Sequence, residues 1–461
     1  MQNRRSFLKS TLAMPMMMSG TSLVGTLGGF NAHAIDTSGY KALVCVFLFG
    51  GMDCHDTVLP FDTASYNEYS QIRASLLATY DALPGGSSRT QDSLLPLSPA
   101  TSVGGGRQFA LPPQMSALHT LFGQGNAAIV GNVGPLLQPT DRSSFLSGGD
   151  VPARLFSHND QQSTWMSFAP EGSQLGWGGR FGDVAAAGGS NTDNIFAQIS
   201  ASGNSVFLTG DIVSPFQIGT DGVPNIQFLE QTSGVIGDLL RDHFDSAGAQ
   251  RSNLFERDYV NISRVSLEAN DTLGAALASG DEITTSFPAS SLGAQLRAVA
   301  QTMAVRDSLG VSRQVFFVAT GGFDTHSTQA QDLPGLQQDI SDSIAAFYTA
   351  TQELGIENDV TTFTAADFGR TLTVNGDGTD HGWGGHHFVV GGSVNGGDIY
   401  GDIPEATLGH SQDSGNGRLI PTTSVEQFAA PLGRWFGLNN SELVGALPGL
   451  TNFPGAPVGF L

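Results

Sequence analysis

Lys41-Ala42-Leu43-Val44-Cys45-Val46-Phe47-Leu48-Phe49, followed by Gly50-Gly51, is the stretch on which the fold turns. Nine residues with no polar member after Lys41 do not alternate, so neither side of this segment is meant for water. An unbroken apolar run of this length that stops at glycines predicts a strand buried on both faces, central in a parallel sheet. Ala127–Val133 and Gln314–Ala319 repeat the signature, and Val360–Thr364 and Phe388–Val390 read as further, shorter strands. Helical patterns fall between them, over Pro112–Phe122, Leu333–Leu354 and Ser424–Phe436. Strands alternating with helices predict an α/β fold: a doubly wound, mostly parallel sheet with helices on both faces. Asn194–Gly210 reads as one or two strands, residues 84–108 as a long surface loop, and about 228–309 as a helical insertion broken near 279–292.

The first 34 of the 461 residues read as a removable leader. Arg4-Arg5-Ser6-Phe7-Leu8-Lys9 is basic, the run from Thr11 to Phe30 is mildly apolar, and Ala32-His33-Ala34 offers a small-x-small cleavage pattern. Pro15 and several glycines make that run a poor membrane-spanning helix. The arginine pair predicts export by the twin-arginine machinery, which carries folded proteins, and a periplasmic or secreted location. Residues 35–461 then form a single α/β domain with no stable membrane insertion.

Loss of Arg4, Arg5 and Lys9, with no acid removed, leaves 17 basic against 42 acidic residues, a charge of −25. Such a chain repels phosphate backbones, which excludes nucleic-acid and anionic-membrane partners. Cys45 and Cys54 are the only cysteines. Along an extended segment nine residues span roughly 30 Å, too far for a disulfide, so both are expected as free thiols.

Chemistry gathers just after the strands. Gly50-Gly51-Met52-Asp53-Cys54-His55-Asp56 and Gly321-Gly322-Phe323-Asp324-Thr325-His326 share one pattern: Gly-Gly, an apolar residue, Asp, any residue, His. Ala365-Ala366-Asp367-Phe368-Gly369-Arg370 follows a third strand. Ligands of open α/β sheets bind outside the carboxyl ends of strands. Asp and His two apart on extended backbone point to the same side and can reach one ion. Asp380-His381 and His386-His387 lie within one glycine-flanked segment, too dense in imidazole for core packing. His386 and His387 face opposite sides of a strand, so one of them at most faces a site. Asp53, Asp56, Asp324, His326, Asp367, Asp380, His381 and His386 are therefore the candidate ligands of a divalent metal, Zn, Mn or Mg.

Leu155-Phe156-Ser157-His158-Asn159-Asp160 opens a helical pattern. Ser157 is either a helix N-cap or a nucleophile presented where backbone N–H groups would hold an anion; His158 joins it as a catalytic candidate. Arg370 either grips an oxyanion or pairs with Asp367 or another acid. No GxSxG elbow or HExxH helix is present.

Taken in order, FLFGGMD, LFSHNDQQSTW, GWGGRFGD, GGFDTHSTQ, FTAADFGRT, GTDHGWGGHHFVVGGSVNGGDIYG and PTTSVEQFAAPLGRWFGL resemble the exported bacterial family defined as domain of unknown function 1501. That family is similar in turn to the alkaline phosphatase and sulfatase superfamily. The resemblance implies a doubly wound sheet, one or two divalent metals at its carboxyl edge, and attack on phosphate or sulfate esters by a hydroxyl or a modified cysteine. It implies Asp53 or Asp56 as the early acid, Ser157 as nucleophile, then Asp324 with His326, Asp367 and a late histidine. Phe368 stands where the superfamily often has His. The expected function is metal-dependent hydrolysis of a small anionic ester by Ser157 or an activated water. The alternative is a non-catalytic exported protein that uses the same Asp/His set as a structural ion site.

Overall fold

The first apolar run forms the strand Lys41–Leu48, in which every residue after Lys41 is buried. The computed structural model describes residues 35–84, 87–220, 222, 235–247, 253–455 and 458–461, which belong to one compact unit. The expected leader and the first residues of the expected insertion lie outside them. Lys41–Leu48 sits between Val360–Ala366 and Arg313–Thr320 and is parallel to both. Gln198–Ser200 and Phe216–Gln217 extend the sheet beyond Arg313–Thr320, again in parallel. On the other side Gly385–Val390 runs antiparallel between Val360–Ala366 and Ala127–Gly134. Ile399–Gly401 and Thr423–Ser424 pair in parallel with Ala127–Gly134 and complete nine strands. The sheet is thus mixed but largely parallel, with one strand reversed.

Alternation along the central strand sends side chains into two cores. Ala42, Val44, Val46 and Leu48 pack with Leu118, Leu296, Val299, Leu333 and Ile344 from the helices Ser116–Gly123, Ser291–Ala304 and Gln329–Glu353. Leu43, Cys45 and Phe47 face the opposite core, with Trp165, Trp177, Phe181, Phe428 and Leu432 from His158–Ser167, Trp177–Ala187 and Val425–Phe436. Helices therefore cover both faces. Each such aliphatic or aromatic side chain contributes about 1.5–3 kcal/mol by leaving water, which is why these strands carry no polar alternation.

Part of the expected insertion belongs to this core. Ser291–Ala304 buries Leu292, Leu296, Val299 and Met303 and leads into the strand Arg313–Thr320, as a crossover helix does. Leu254–Ser279 adds Ala269, Leu273 and Ala276 to the same core, while its first half shows Phe255, Tyr259 and Ile262 to solvent. Asn194–Gly210 holds one short strand, Gln198–Ser200, and a 3-10 turn over Val206–Leu208. Cys45 and Cys54 are free and buried. Among the described residues, no helix is long and apolar enough to cross a membrane.

Strand register positions the site. Leu48 is opposite Thr320 on one side and Ala366 on the other. The segments beginning at Phe49, Gly321 and Asp367 consequently leave the same edge of the sheet side by side. Gly50 makes their close approach possible: its φ is +115°, and a Cβ there would lie 2.3 Å from the Asp324 backbone nitrogen.

Candidate metal centre

Asp324 is the hub of this edge. Its Oδ2 lies 3.4 Å from His158 Nε2, and its Oδ1 lies 3.1 Å from both His381 Nε2 and His326 Nε2. The ligand atoms of His158, Asp324 and His381 all fall within 4.8 Å of one another, a grouping that could hold a metal ion. His326 Nε2 stands beside this triad, 2.8 Å from His381 Nε2. The side chains remain 22–44% exposed, so the cluster opens to solvent.

What orders the cluster is the opposite nitrogen of each ring. His158 Nδ1 is 2.6 Å from Asp367 Oδ2, His326 Nδ1 is 3.2 Å from Asp380 Oδ1, and His381 Nδ1 is 2.7 Å from the Phe156 carbonyl. Carboxylates and carbonyls only accept, so in each neutral ring the proton sits on Nδ1 and the Nε2 lone pair faces Asp324. Imidazoles that bind metals are held in this way, with a carboxylate or carbonyl behind them. Two lone pairs cannot meet at 2.8 Å, as at His326 and His381, without a proton or a cation between them. The donor set of two imidazoles and one carboxylate suits a divalent ion of the zinc or manganese kind.

The surroundings tune these groups. The Asp367 hydrogen bond raises His158 above the ordinary imidazole range despite burial. Burial lowers His381. At Asp324 burial pushes upward, but the hydrogen bond and charge of Arg370 more than reverse it. At Asp380 burial is likewise outweighed by the Asn375 and His326 hydrogen bonds. Phe368 forms an aromatic wall, its ring centroid 4.9 Å from that of His158 and 4.6 Å from that of His381.

The Asp-x-His spacing brings Asp324 and His326 together, yet the matching Asp53 and His55 diverge. Residues Cys54–Asp56 coil into a 3-10 turn, and Asp53 caps it by accepting from His55 N. Asp53 is fully buried and accepts from Arg73 Nη1 at 2.6 Å, Arg73 Nη2 at 3.0 Å and Gln329 Nε2 at 2.6 Å. Burial pushes this carboxyl up, but Arg73 brings it below the ordinary range. Asp56 is likewise buried, on Arg89 Nε at 3.1 Å and the hydroxyls of Tyr80 and Tyr69. Both acids are sealed from solvent behind their arginines and lie outside the grouped donors. His386 lies outside them too, since it is buried with Nδ1 accepting from Asn132 N at 2.9 Å.

Other assignments change role. His158, first read as catalytic, is one of the three grouped donors. Asp367 and Asp380 stand behind the imidazoles rather than among the ligand atoms. Arg370 is buried and takes the pairing option, with Nη1 2.6 Å from Asp324 Oδ1 and another bond to the Gly50 carbonyl. Ser157 occupies the N-cap position without a capping bond, its hydroxyl donating to Asp160 Oδ2 at 3.0 Å.

Some participants were not singled out by their sequence. The Phe156 carbonyl reaches His381 because Phe156 adopts φ +71°, a strained conformation for a bulky residue. Gln162 Nε2 donates to Asp367 Oδ2 at 2.9 Å, from within the same polar segment. Arg73 had one signal: it is the only Lys or Arg between Lys41 and Arg89.

A solved structure described as Ps i-CgsB in complex with k-i-k-neocarrahexaose aligns over 90% of this chain and 77% of that one. Its identity is 8% and its TM-score 0.36, a likeness too distant to carry an argument. No curated protein matches the sequence. The family model described as protein of unknown function (DUF1501) matches residues 40–447, nearly the whole described chain, and the protein belongs to that family.

Proposed function

We propose that this protein is an exported, divalent-metal-dependent hydrolase of phosphate or sulfate esters, built on an alkaline phosphatase-like sheet. The observation that carries the reading is the common aim of His158, Asp324 and His381, with both imidazoles fixed from behind by oxygen acceptors. The neighbouring strand ends, all at one sheet edge, support the likeness to that superfamily. The openness of the cluster favours catalysis over a structural ion site, because structural sites are closed by protein ligands whereas catalytic ones keep a position for substrate. A divalent cation held there would supply Lewis-acid polarisation of an ester oxygen, acidification of water, and the local positive charge that an acidic chain needs to attract an anion.

The chain's own residues divide the remaining work. Asp367 and the Phe156 carbonyl orient His158 and His381. His326, turned by Asp380, keeps its Nε2 lone pair within 3.1 Å of Asp324 Oδ1 and is the group that takes a proton from the attacking water. Ser157, bonded to Asp160, is not the nucleophile in this account. Phe368 and the buried Arg370 hold the wall and the Asp324 carboxylate in place.

The test uses residues 35–461. Metal content is measured after purification, and turnover of aryl phosphates and aryl sulfates is followed with and without a chelator. Hydrolysis is expected to disappear with the chelator and in His381→Ala, while Ser157→Ala keeps activity within about tenfold. Stoichiometric metal without turnover of any ester would replace the enzyme by the structural ion-site alternative. Loss of activity in Ser157→Ala with metal retained would restore the serine mechanism.

A further inference from the structure

A cleft elsewhere in the molecule shares no residue with the His158–Asp324–His381 cluster. It has a volume of about 420 Å³, and its lining includes His55, His386, Glu68, Glu405, Arg107 and Asp62. That volume lies within the range of small-molecule sites. Two histidines left over from the metal assignment thus meet again, at a different place.

His55 and His386 are 6% and 2% exposed, and each is pinned by the backbone through one ring nitrogen. His55 Nε2 lies 3.0 Å from the Gly417 carbonyl. A carbonyl accepts, so Nε2 carries the proton and Nδ1 keeps a lone pair. His386 Nδ1 accepts from Asn132 N, so its proton is on Nε2. Among the described residues, neither His55 Nδ1 nor His386 Nε2 has a hydrogen-bond partner. Burial also pushes the two rings down, to about 4 and about 3, which keeps both neutral at ordinary pH. The cleft is therefore lined by one fixed acceptor and one fixed donor, both uncharged.

The rim restricts what can use them. Arg107, the one cation in the lining, lies 3.5 Å from Asp402 and over the Phe109 ring. Asp62 is committed to the backbone N–H groups of Ser65 and Gln108. Glu68 and Glu405 are exposed carboxylates. An anion would meet these acids with no unpaired cation to offset them. An ammonium group can donate to His55 but has nothing to accept from His386. A hydroxyl does both at once, and carboxylates are good acceptors for further hydroxyls.

We propose that this cleft is a second binding site, separate from the metal centre, for a neutral, hydroxyl-rich ligand of sugar size. One hydroxyl donates to His55 Nδ1 while accepting from His386 Nε2–H, and neighbouring hydroxyls donate to Glu68 and Glu405. Most of the pocket's selectivity comes from the buried pair, because a ligand without a hydroxyl there would leave two desolvated polar atoms unpaired.

The experiment titrates residues 35–461, labelled with 15N-histidine, with methyl glucoside, methyl galactoside, maltose and cellobiose. Inorganic phosphate and spermidine serve as charged probes. At least one neutral sugar is expected to move the His55 and His386 ring signals, equally with and without EDTA. The double variant Glu68→Gln/Glu405→Gln, both exposed positions, should weaken that binding about tenfold without changing Tm. The proposal is overturned if no sugar in the panel moves these signals, if phosphate or spermidine moves them instead, or if the rim variant binds as well as the parent. Persistence of binding in EDTA keeps the outcome independent of the metal-centre reading.

Discussion

Asp53→Asn distinguishes a buried ion-pair partner from a metal ligand. Asp53 and Arg73 are both fully buried, and the guanidinium spends two of its bonds on this carboxylate, the others going to the Leu372 and Thr371 carbonyls. Asparagine keeps the shape but removes the charge, leaving Arg73 desolvated with only neutral acceptors. Breaking a buried pair on one side destabilises by roughly 3–5 kcal/mol. At about 2.1 cal/mol/K of unfolding entropy per residue, a chain of this length loses roughly 1 °C of Tm per kcal/mol, so Tm should fall by about 3–6 °C. Calorimetry and urea midpoints measure that loss, and competition with a chromophoric chelator measures metal affinity, expected to stay within about threefold of the parent. A variant of unchanged stability that binds metal tenfold or more weakly would refute the reasoning and return Asp53 to the ligand set.

Asp380→Asn withdraws the charge behind His326 while sparing the grouped donors. Turnover of the aryl ester should fall on the order of 100-fold with metal affinity little changed, as for loss of a general base's support; an equal fall in both would make His326 a ligand instead. Glu426 offers a pH test in the opposite core, where burial raises its carboxyl to about 7. A raised acid binds more protons folded than unfolded, so its contribution is complete below about 4.5 and is lost as pH rises through 7, by up to about 3 kcal/mol. Urea midpoints of the parent and Glu426→Gln should therefore separate between pH 5 and pH 8, with the parent losing relative stability. Parallel curves would exclude a raised carboxyl at this position.

Much of the architecture was legible because it rests on local patterns. A strand buried on both faces must be apolar throughout, and KALVCVFLF has no other stable use. The carboxyl-edge location of Asp324 and Asp367 followed from the strand pattern, since each lies just beyond a predicted strand. Other elements gave weaker signals. Trp177–Ala187 carries no clear helical pattern in its sequence, because three glycines, at 178, 179 and 182, interrupt it. Those glycines are explained by packing: a Cβ at Gly179 would lie 2.2 Å from the Thr209 carbonyl carbon.

Residue types and spacing determined that acids and imidazoles would gather where parallel strands end, since burial and glycine turns act within a few positions along the chain. They did not determine which acids would be available to an ion. Asp53-Cys54-His55 and Asp324-Thr325-His326 are the same words in sequence, yet a buried arginine 20 residues away claims the first aspartate. The second stays at the open edge among three imidazoles. Charge pairing and exposure are decided through space rather than along the chain, so only the folded arrangement could separate the sealed Asp53–Arg73 pair from Asp324, which also meets an arginine, Arg370, yet stays 44% exposed.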